Sequence, residues 1–333
     1  MPMKSIVLTL LFSLVTAFCI DVSAQGFTIV KESEIPLDLG DEIVGEIADL
    51  TRDAEGNFYL PDWQQHTVWV VAPQGRLIRK IGQAGRGPGE LTNPRSVALH
   101  DGKVFVLDND NDRISAFSIS GQHLSSHRID VYLSTGMLIN DDGHIAVSSV
   151  LAPSFFTVYD TDGAKLYDGG SREAEARPVG VIGGSYQLFQ HVSGTPNGDV
   201  LYSPVKRYVV SRLHWDGTVL ATYSAEPPGY VPFSVTPDLG GFSMSIYWSW
   251  IGRPLQFGDH VLVQRSLPVE GGESRIRGDL FVQDGNVLQL GIEIPFTFVY
   301  AEERTLYGID TAPVEEGEPN PHIVVYRLSG GSE

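Results

Sequence analysis

The chain has 333 residues, a formal net charge of −18 and a single cysteine. A surface this acidic repels nucleic acid and anionic lipid, so polyanions are excluded as partners, and the charge is typical of a solvated surface that keeps a protein soluble. One cysteine can form neither an internal disulfide nor a multi-thiolate metal site, so stability has to come from burial of side chains.

Residues 1–24 have the three parts of a secretory signal peptide. Lys4 supplies the positive start, residues 6–20 form an uncharged apolar run, and Val22-Ser23-Ala24 is a small-x-small cleavage site. The apolar run is shorter than the about 20 residues that a membrane-spanning helix needs, which favours cleavage over a retained anchor. The sequence therefore predicts an exported protein, secreted or located in the periplasm or cell envelope, with no membrane insertion after cleavage.

The cysteine leaves an alternative for this segment. Cys19 would be the attachment point of a lipid under a different processing route, but the bulky Phe18 stands where a small residue is expected. Cleavage after Ala24 is therefore favoured over lipid anchoring. The processed chain would then contain no thiol.

Residues 25–333 contain a unit that recurs six times and predicts one domain. Each unit has a short apolar strand, a tight polar turn, an alternating strand, a loop, a third strand, a glycine hairpin and a fourth strand. The predicted strands are, unit by unit, Val44–Asp53, Asn57–Asp62, His66–Ala72 and Leu77–Ile81; Ser96–Asp101, Lys103–Asn109, Arg113–Ile119 and His123–Ile129; Met137–Asp141, His144–Ser149, Phe155–Asp160 and Lys165–Asp168; Gln190–Asn197, Asp199–Val205, Val209–Trp215 and Val219–Ala225; Arg253–Asp259, His260–Ser266, Arg277–Gln283 and Val287–Glu293; Phe296–Glu303, Thr305–Asp310 and His322–Leu328.

These strands are rich in β-branched and aromatic side chains, and none keeps a helical period, so the chain is predicted to be all-β. Four-stranded units arranged radially are typical of a β-propeller, here six-bladed. The sixth unit lacks a fourth strand, and Phe27–Lys31 has no other partner. We therefore expect this N-terminal strand to pair into the last blade, which closes the ring and covers an edge that would invite aggregation.

One characteristic stretch crosses from the first blade to the second. Its residues are Ile81-Gly82-Gln83-Ala84-Gly85-Arg86-Gly87-Pro88-Gly89-Glu90-Leu91, Asn93-Pro94, Val104-Phe105-Val106-Leu107-Asp108, Asn111, Arg113-Ile114 and Phe117. The stretch resembles the NHL repeat, and it is similar to the six-bladed propeller proteins of bacterial envelopes. The resemblance covers residues 56–121 and implies the propeller fold, together with pairing of Asp108 with Arg113 within or between blades. Later blades lack the Gly-Pro-Gly linker, so no family member's activity is implied.

This stretch contains two patterns that are similar to ligand-binding loops. A phosphate-binding loop needs a GK[ST] motif and a following helix, and neither is present, so the glycine-rich linker is interpreted as the crossing between two blades. Asp108, Asp110 and Asp112 have the alternate spacing of a calcium loop, but Arg113 and Ile119 stand where that loop requires glycine and glutamate. No cofactor is therefore predicted, although a divalent cation is kept as an alternative.

Ligand recognition is predicted at the top face, the face where the inner strand of each blade starts. Long crossings at 169–189 and 226–252 lie on this face, and long ordered loops usually carry function. Six residues are predicted to start the inner strands around the central opening: Glu46, Arg95, Thr135, His191, Arg253 and Thr297. We expect the arginines and the histidine to converge on an anionic or hydroxylated ligand, with Tyr247, Trp248 and Trp250 as a stacking surface. The alternative is that the arginines pair with acids and the tryptophans pack the crossing onto the ring.

These residues favour a binding protein over an enzyme. A zinc lyase needs several histidines at the channel, and only His191 is placed there. A metal-assisted, lactonase-like hydrolase needs carboxylates, yet Arg95 and Arg253 accompany Glu46, and like charge opposes a cation. The predicted function is an exported non-catalytic binding or scaffold propeller that recognises a peptide, glycan or small anionic ligand, with a protein partner as a further option. The alternative is a metal-assisted hydrolase or lyase that uses the same opening.

Overall fold

The computed structural model describes residues 26–130, 133–149, 152–171, 191–204, 207–232, 249–268, 275–311 and 321–330, and the backbone of 235–238 and 241–244. Its strands are β1 Thr28–Pro36, β2 Thr51–Arg52, β3 Phe58–Asp62, β4 Thr67–Val71, β5 Leu77–Ile81, β6 Pro94–His100, β7 Lys103–Asp108, β8 Arg113–Ser118, β9 His123–Arg128, β10 Ser134–Ile139, β11 Ile145–Ser149, β12 Phe156–Tyr159, β13 Lys165–Gly169, β14 His191–Gly194, β15 Val200–Ser203, β16 Val209–Leu213, β17 Val219–Ser224, β18 Val235–Asp238, β19 Gly241–Met244, β20 Leu255–Phe257, β21 His260–Leu267, β22 Arg275–Val282, β23 Val287–Ile294, β24 Phe298–Glu302, β25 Thr305–Asp310 and β26 His322–Ser329.

These strands form six four-stranded antiparallel sheets, which are the blades of an all-β, six-bladed propeller. The sheet orders are β2-β3-β4-β5, β6-β7-β8-β9, β10-β11-β12-β13, β14-β15-β16-β17, β20-β21-β22-β23 and β24-β25-β26-β1, with β18-β19 as a separate hairpin. In the described part of the chain, helical structure is limited to one 3-10 turn at Asn109–Asn111. No helix there is long and apolar enough to span a membrane. The predicted fold class and all six strand units are confirmed.

The innermost strand of the first blade is much shorter than predicted. The sequence favoured Val44–Asp53, whereas β2 contains only Thr51 and Arg52. The preceding segment pairs with β3 only at an isolated antiparallel bridge between Ile47 and Asp62, where the Ala48 amide donates to the Pro61 carbonyl at 2.9 Å. On either side of this bridge a carboxylate takes the backbone amide instead: Gly45 donates to Asp62 at 2.7 Å and Leu50 donates to Asp49 at 2.9 Å. Side-chain hydrogen bonding thus competes with the strand ladder and shortens the strand.

The sixth blade takes its outer strand from the N-terminal end of the described chain. Strand β1 pairs antiparallel with β26 from Thr28 opposite Ser329 to Pro36 opposite His322. The Gln289 side chain of the fifth blade also binds the Phe27 backbone, accepting from its amide at 2.5 Å and donating to its carbonyl at 3.0 Å. This pairing is consistent with the closure expected from the sequence.

Among the described residues the core forms six clusters, one for each joint between neighbouring blades. Alternate residues of a strand face opposite neighbours: Trp69 of β4 packs toward the sixth blade, whereas Val68 and Val70 pack toward the second. Both faces of each sheet are therefore buried, which explains why β3 and β4 are buried at every position. The ring is held together mainly by burial of apolar side chains between blades.

The hairpin between the third and fourth strands of a blade rests on the outer strand of the preceding blade. At Gly75, whose φ is +85°, a Cβ atom would lie 2.0 Å from the carbonyl oxygen of Pro36. The corresponding contacts pair Gly121 with Lys80, Gly163 with His127, Gly217 with Gly170 and Gly285 with Thr222. Glycine is required at Gly75 both by its positive φ and by this close approach.

Candidate functional site

The starts of three inner strands are reshaped by irregular pairing. In β6, β10 and β24 the register shifts at the second residue, which leaves Arg95, Thr135 and Val299 outside the regular ladder. Such bulges turn side chains away from the regular pleat of the sheet and are common next to active sites. Arg95 and Thr135 are predicted site positions, while in the sixth blade the bulged residue is Val299 and not the expected Thr297.

Arg253 is bound to an acid that the sequence analysis did not select. Its Nη1 forms a salt bridge with Asp49 Oδ1 and donates to the Val299 carbonyl at 3.0 Å. Asp49 is buried, and its second oxygen accepts from Ser96 Oγ at 2.5 Å, while the same hydroxyl lies 3.2 Å from the Met137 carbonyl oxygen. We call these five residues the central cluster; it joins the fifth, sixth, first, second and third blades. The charge of Arg253 is thus neutralised inside the protein, as the arginine–acid alternative anticipated.

His191 lies near this cluster at the start of β14. Part of the residue is exposed, but enclosure of the imidazole, and secondly the positive charge of Arg253, lower its pKa to about 3. Burial and a nearby like charge both disfavour the protonated ring. His191 is therefore neutral near pH 7, with one donor and one acceptor nitrogen, and it adds no positive charge that would attract an anion. The structure thus brings His191 and Arg253 together while removing most of their attraction for anions.

Arg95 forms a second group on the same face, at the first and second blades. Its guanidinium carbon lies 4.6 Å from the centre of the Trp63 ring, a cation–π geometry. Burial lowers the pKa of Arg95, and the nearby Glu46 and Asp110 oppose that shift. Among the described residues its guanidinium has no hydrogen-bonded acceptor. We call Arg95, Trp63 and Glu46 the arginine shelf.

The remaining residues of the arginine shelf are positioned by the backbone. Glu46 is exposed, and its carbonyl accepts from the Trp63 amide at 3.2 Å. Trp63 is half-buried, and its indole Nε1 is buried without a hydrogen-bond partner in the described part of the chain. An indole donor without a partner is unusual, because buried donors normally find an acceptor. Glu46 and Arg95 therefore lie together, next to the central cluster through the adjacent Ser96, and the described hydrogen bonds do not join their side chains to it.

Trp250 is the member of the predicted aromatic surface that the described residues include. Trp250 is half-buried and its backbone pairs with β21, donating to Ser266 Oγ at 3.0 Å and accepting from the Ser266 amide at 3.0 Å. This pairing fits the alternative in which the tryptophan packs the crossing onto the ring. Trp248 and Tyr247 lie outside the described residues.

The glycine-rich linker binds its own chain. The Glu90 carboxylate accepts from the Gly87 amide at 2.7 Å, and backbone hydrogen bonds lower its pKa. Arg113 donates to the carbonyls of Glu90 at 2.6 Å and Gly87 at 3.1 Å, and its Nε donates to Asp108 at 2.7 Å. A side-chain anion thus already occupies an amide that a phosphate would need. The predicted Asp108–Arg113 pair is observed within the second blade.

No metal centre is evident in the part of the chain that the structure describes, since no group of three or more histidine, cysteine, aspartate or glutamate side chains there could hold an ion. Asp108 is bound by Arg113, Asn111 and the Thr92 amide. Asp108, the first aspartate of the calcium-like spacing, is therefore part of a hydrogen-bond network.

Sequence reasoning missed Asp49 and Trp63. Asp49 was assigned to the interior of a predicted strand that begins only at Thr51. Trp63 follows β3 directly, in a loop between second and third strands. Loops between second and third strands lie on the top face, as the inner-strand starts do. Applying the topology rule to these loops as well would have selected Trp63.

The comparisons with known proteins agree with this architecture. The DUF5128 family model, described as a 6-bladed beta-propeller, matches residues 29–168, from the closing strand to the third blade. No curated protein matches the chain. This match supports a six-bladed propeller family, while the NHL resemblance stays a prediction.

Solved structures share the fold at low sequence identity. A presumed exported protein from Bacteroides fragilis NCTC 9343 is 14% identical, with a TM-score of 0.66 over 91% of this chain and 95% of that one. A member of the DUF4221 family from Bacteroides vulgatus ATCC 8482 is 9% identical, with a TM-score of 0.65 over 92% and 100%. A catalytically inactive virginiamycin B lyase from Staphylococcus aureus, with quinupristin, is 9% identical, with a TM-score of 0.51 over 91% and 100%. At these identities the similarity concerns the fold alone.

Proposed function

We propose that the protein is an exported, non-catalytic binding propeller, and that its top face binds an anionic group of a peptide, glycan or small molecule at the arginine shelf. Export is supported by the signal-peptide pattern of residues 1–24 and by the presumed exported protein of similar fold. The alternative, a metal-assisted hydrolase or lyase, has no observation in its favour among the described residues.

The observation that carries the proposal is the contrast between Arg253 and Arg95, the two arginines predicted at the starts of inner strands. Arg253 is paired with the buried Asp49, so its charge is already satisfied. Arg95 lies at a bulge and stacks over Trp63, and within the described chain the N–H groups of its guanidinium have no hydrogen-bond acceptor. A guanidinium that is stacked and partly desolvated binds carboxylates well, because less rotational freedom is lost on binding and each hydrogen bond is charge-assisted.

The proposal is tested with pairs of probes that differ by one charge. Binding of N-acetylated tripeptides with a free C-terminal carboxylate is compared with binding of the same peptides as amides, and uronic acids are compared with the matching neutral sugars, by titration calorimetry. A charged partner makes a hydrogen bond worth about 1.5–3 kcal/mol, so the carboxylate form of a recognised probe is expected to bind at least about tenfold more tightly.

Arg95→Gln should abolish this preference, because it removes the charge at the shelf. Arg277→Gln is the matched control: it changes the net charge equally, but on the fifth blade, on the opposite side of the ring. Absence of any charge preference, or a preference that survives in Arg95→Gln, refutes the proposed site.

A further inference from the structure

A cavity of about 390 Å³ opens on the top face where the fourth blade meets the fifth. It is lined by Arg207, Tyr208, Ala225, Glu226, Pro227, Tyr230 and Pro232. Tyr208 directly precedes β16, and residues 225–232 directly follow β17, so the topology places both segments on the top face. We call this cavity the tyrosine pocket; it is separate from the arginine shelf of the first and second blades.

The tyrosine pocket rests on a buried charged network. The Tyr208 hydroxyl donates to Asp279 Oδ2 at 2.6 Å, and the same oxygen accepts from Arg265 Nε at 2.6 Å. The other carboxylate oxygen accepts from the Gly291 amide at 2.7 Å. Arg265 and Asp279 are almost completely buried. The Tyr208 ring is therefore held rigidly, and burial together with the negative Asp279 raises the pKa of its hydroxyl.

The second tyrosine is fixed by its own loop. The Tyr230 ring meets the Tyr208 ring edge-on, with centroids 5.4 Å apart and an interplanar angle of 72°. The Tyr230 amide donates to the Pro227 carbonyl at 3.1 Å, and the next amide, of Val231, donates to Ser249 Oγ at 3.1 Å. The aromatic wall is thus formed before any ligand binds, which lowers the ordering cost of binding.

The pocket offers few polar groups to a ligand. The Tyr208 hydroxyl is committed to Asp279, and the Tyr230 hydroxyl is buried, with no hydrogen-bond partner in the described part of the chain. The wall is therefore made of tyrosine rings, prolines and one alanine. The exposed side chains of Arg207 and Glu226 place charges of opposite sign at the rim.

We infer that the tyrosine pocket binds a proline-containing, extended peptide segment. Grooves lined by aromatic side chains receive proline-rich segments, whose preformed polyproline II conformation costs little entropy to bind. Charges of both signs at the rim suit a peptide, which presents carbonyl oxygens and amides on either side of its apolar side chains. A glycan would need several hydrogen-bonding groups along the pocket wall for its hydroxyls, whereas one phenol hydroxyl is bound to Asp279, the other is buried, and the charged side chains stand only at the rim. The inference rests on the proposed function and narrows its ligand to a peptide.

The test uses fluorescein-labelled decaproline, with a labelled Gly-Ser decapeptide as control, and fluorescence polarisation as the readout. Decaproline should bind and the Gly-Ser peptide should not. Tyr230→Ala removes the wall and should weaken binding at least about tenfold. Tyr230→Phe keeps the ring and deletes only a hydroxyl without a partner, so it should bind within about twofold of the unmodified protein. Circular dichroism and thermal unfolding verify that both variants are folded.

Three results overturn the inference: no decaproline binding, equal binding by folded Tyr230→Ala, or displacement of decaproline by cellohexaose. These results are distinguishable from failure of the proposed function. If the carboxylate preference depends on Arg95 while decaproline fails to bind, only the tyrosine pocket is wrong. If decaproline binding depends on Tyr230 while the carboxylate preference is absent, only the arginine shelf is wrong.

Discussion

Replacing Arg265 with methionine should destabilise the protein strongly. In the folded chain Arg265 and Asp279 are 1% and 0% exposed, and the ion pair is joined by the Tyr208 hydroxyl and the Gly291 amide. Without Arg265 the carboxylate keeps these last two donors but loses its counter-charge. Breaking a buried pair by removing one partner costs about 3–5 kcal/mol. That is a large fraction of the about 5–15 kcal/mol by which a typical folded domain is stable.

Lys165→Met is the matched control, because Lys165 pairs with Asp168 on the outer strand of the third blade. That pair has a distance of 2.9 Å, but its side chains are 46% and 44% exposed. Exposed pairs contribute about 0–1 kcal/mol. Both variants are unfolded in urea and followed by tryptophan fluorescence and circular dichroism, whose transitions have to coincide for a two-state free energy. Equal midpoints for Arg265→Met and Lys165→Met would refute the role assigned to the buried pair.

Two further predictions concern a turn and a titrating group. Gly75→Ala should lower the free energy of unfolding by more than the about 1–2 kcal/mol cost of a positive φ, because the new Cβ would lie 2.0 Å from the Pro36 oxygen. The control is Gly198→Ala, which has a φ of +81° and open space around the new Cβ and should therefore cost only the free energy of the positive φ. Equal urea midpoints for the two variants would contradict this. The pKa of His191 falls from 6.5 to about 3 on folding, so its contribution to stability is complete above pH 6.5 and is lost as the pH falls toward 3. In His191→Gln the free energy of unfolding should therefore depend less steeply on pH between 4 and 6 than in the unmodified protein, and the slope should be smaller by up to about 1.4 kcal/mol per pH unit. An unchanged slope would argue against the lowered pKa.

The fold could be predicted from the sequence because each blade repeats the same local signals. Alternating β-branched residues, glycine hairpins and the missing fourth strand of the last unit all point to one architecture. The boundaries of β2 were wrong for a specific reason. Two aspartates interrupt the ladder, since Asp62 accepts from the Gly45 amide and Asp49 accepts from the Leu50 amide, and the pairing with β3 before Thr51 is reduced to one bridge at Ile47.

The candidate site was harder to predict than the fold. Arg95, Thr135 and His191 lie at the starts of inner strands as the topology rule predicted, whereas Glu46 lies five residues before β2. The rule could not show which charges would meet. Arg253 reaches past the sixth blade to Asp49 in the first, a contact between residues far apart in the sequence. The tyrosine pocket was not anticipated, because Tyr208 and Tyr230 belong to different loops and are brought together by Asp279 and the turn after Pro227.

The pairing of Thr28 with Ser329 has a consequence for how the molecule is made. Strand β1 is synthesised before the other strands of the ring and its partner β26 after them, so the sixth blade is assembled late. During that delay β1 is an open edge, and Lys31, Glu32 and Glu34 place charges along it. Such charges discourage pairing with other unfinished chains. Newly made chains in which these three residues are apolar should therefore aggregate more readily, even if the completed ring is equally stable.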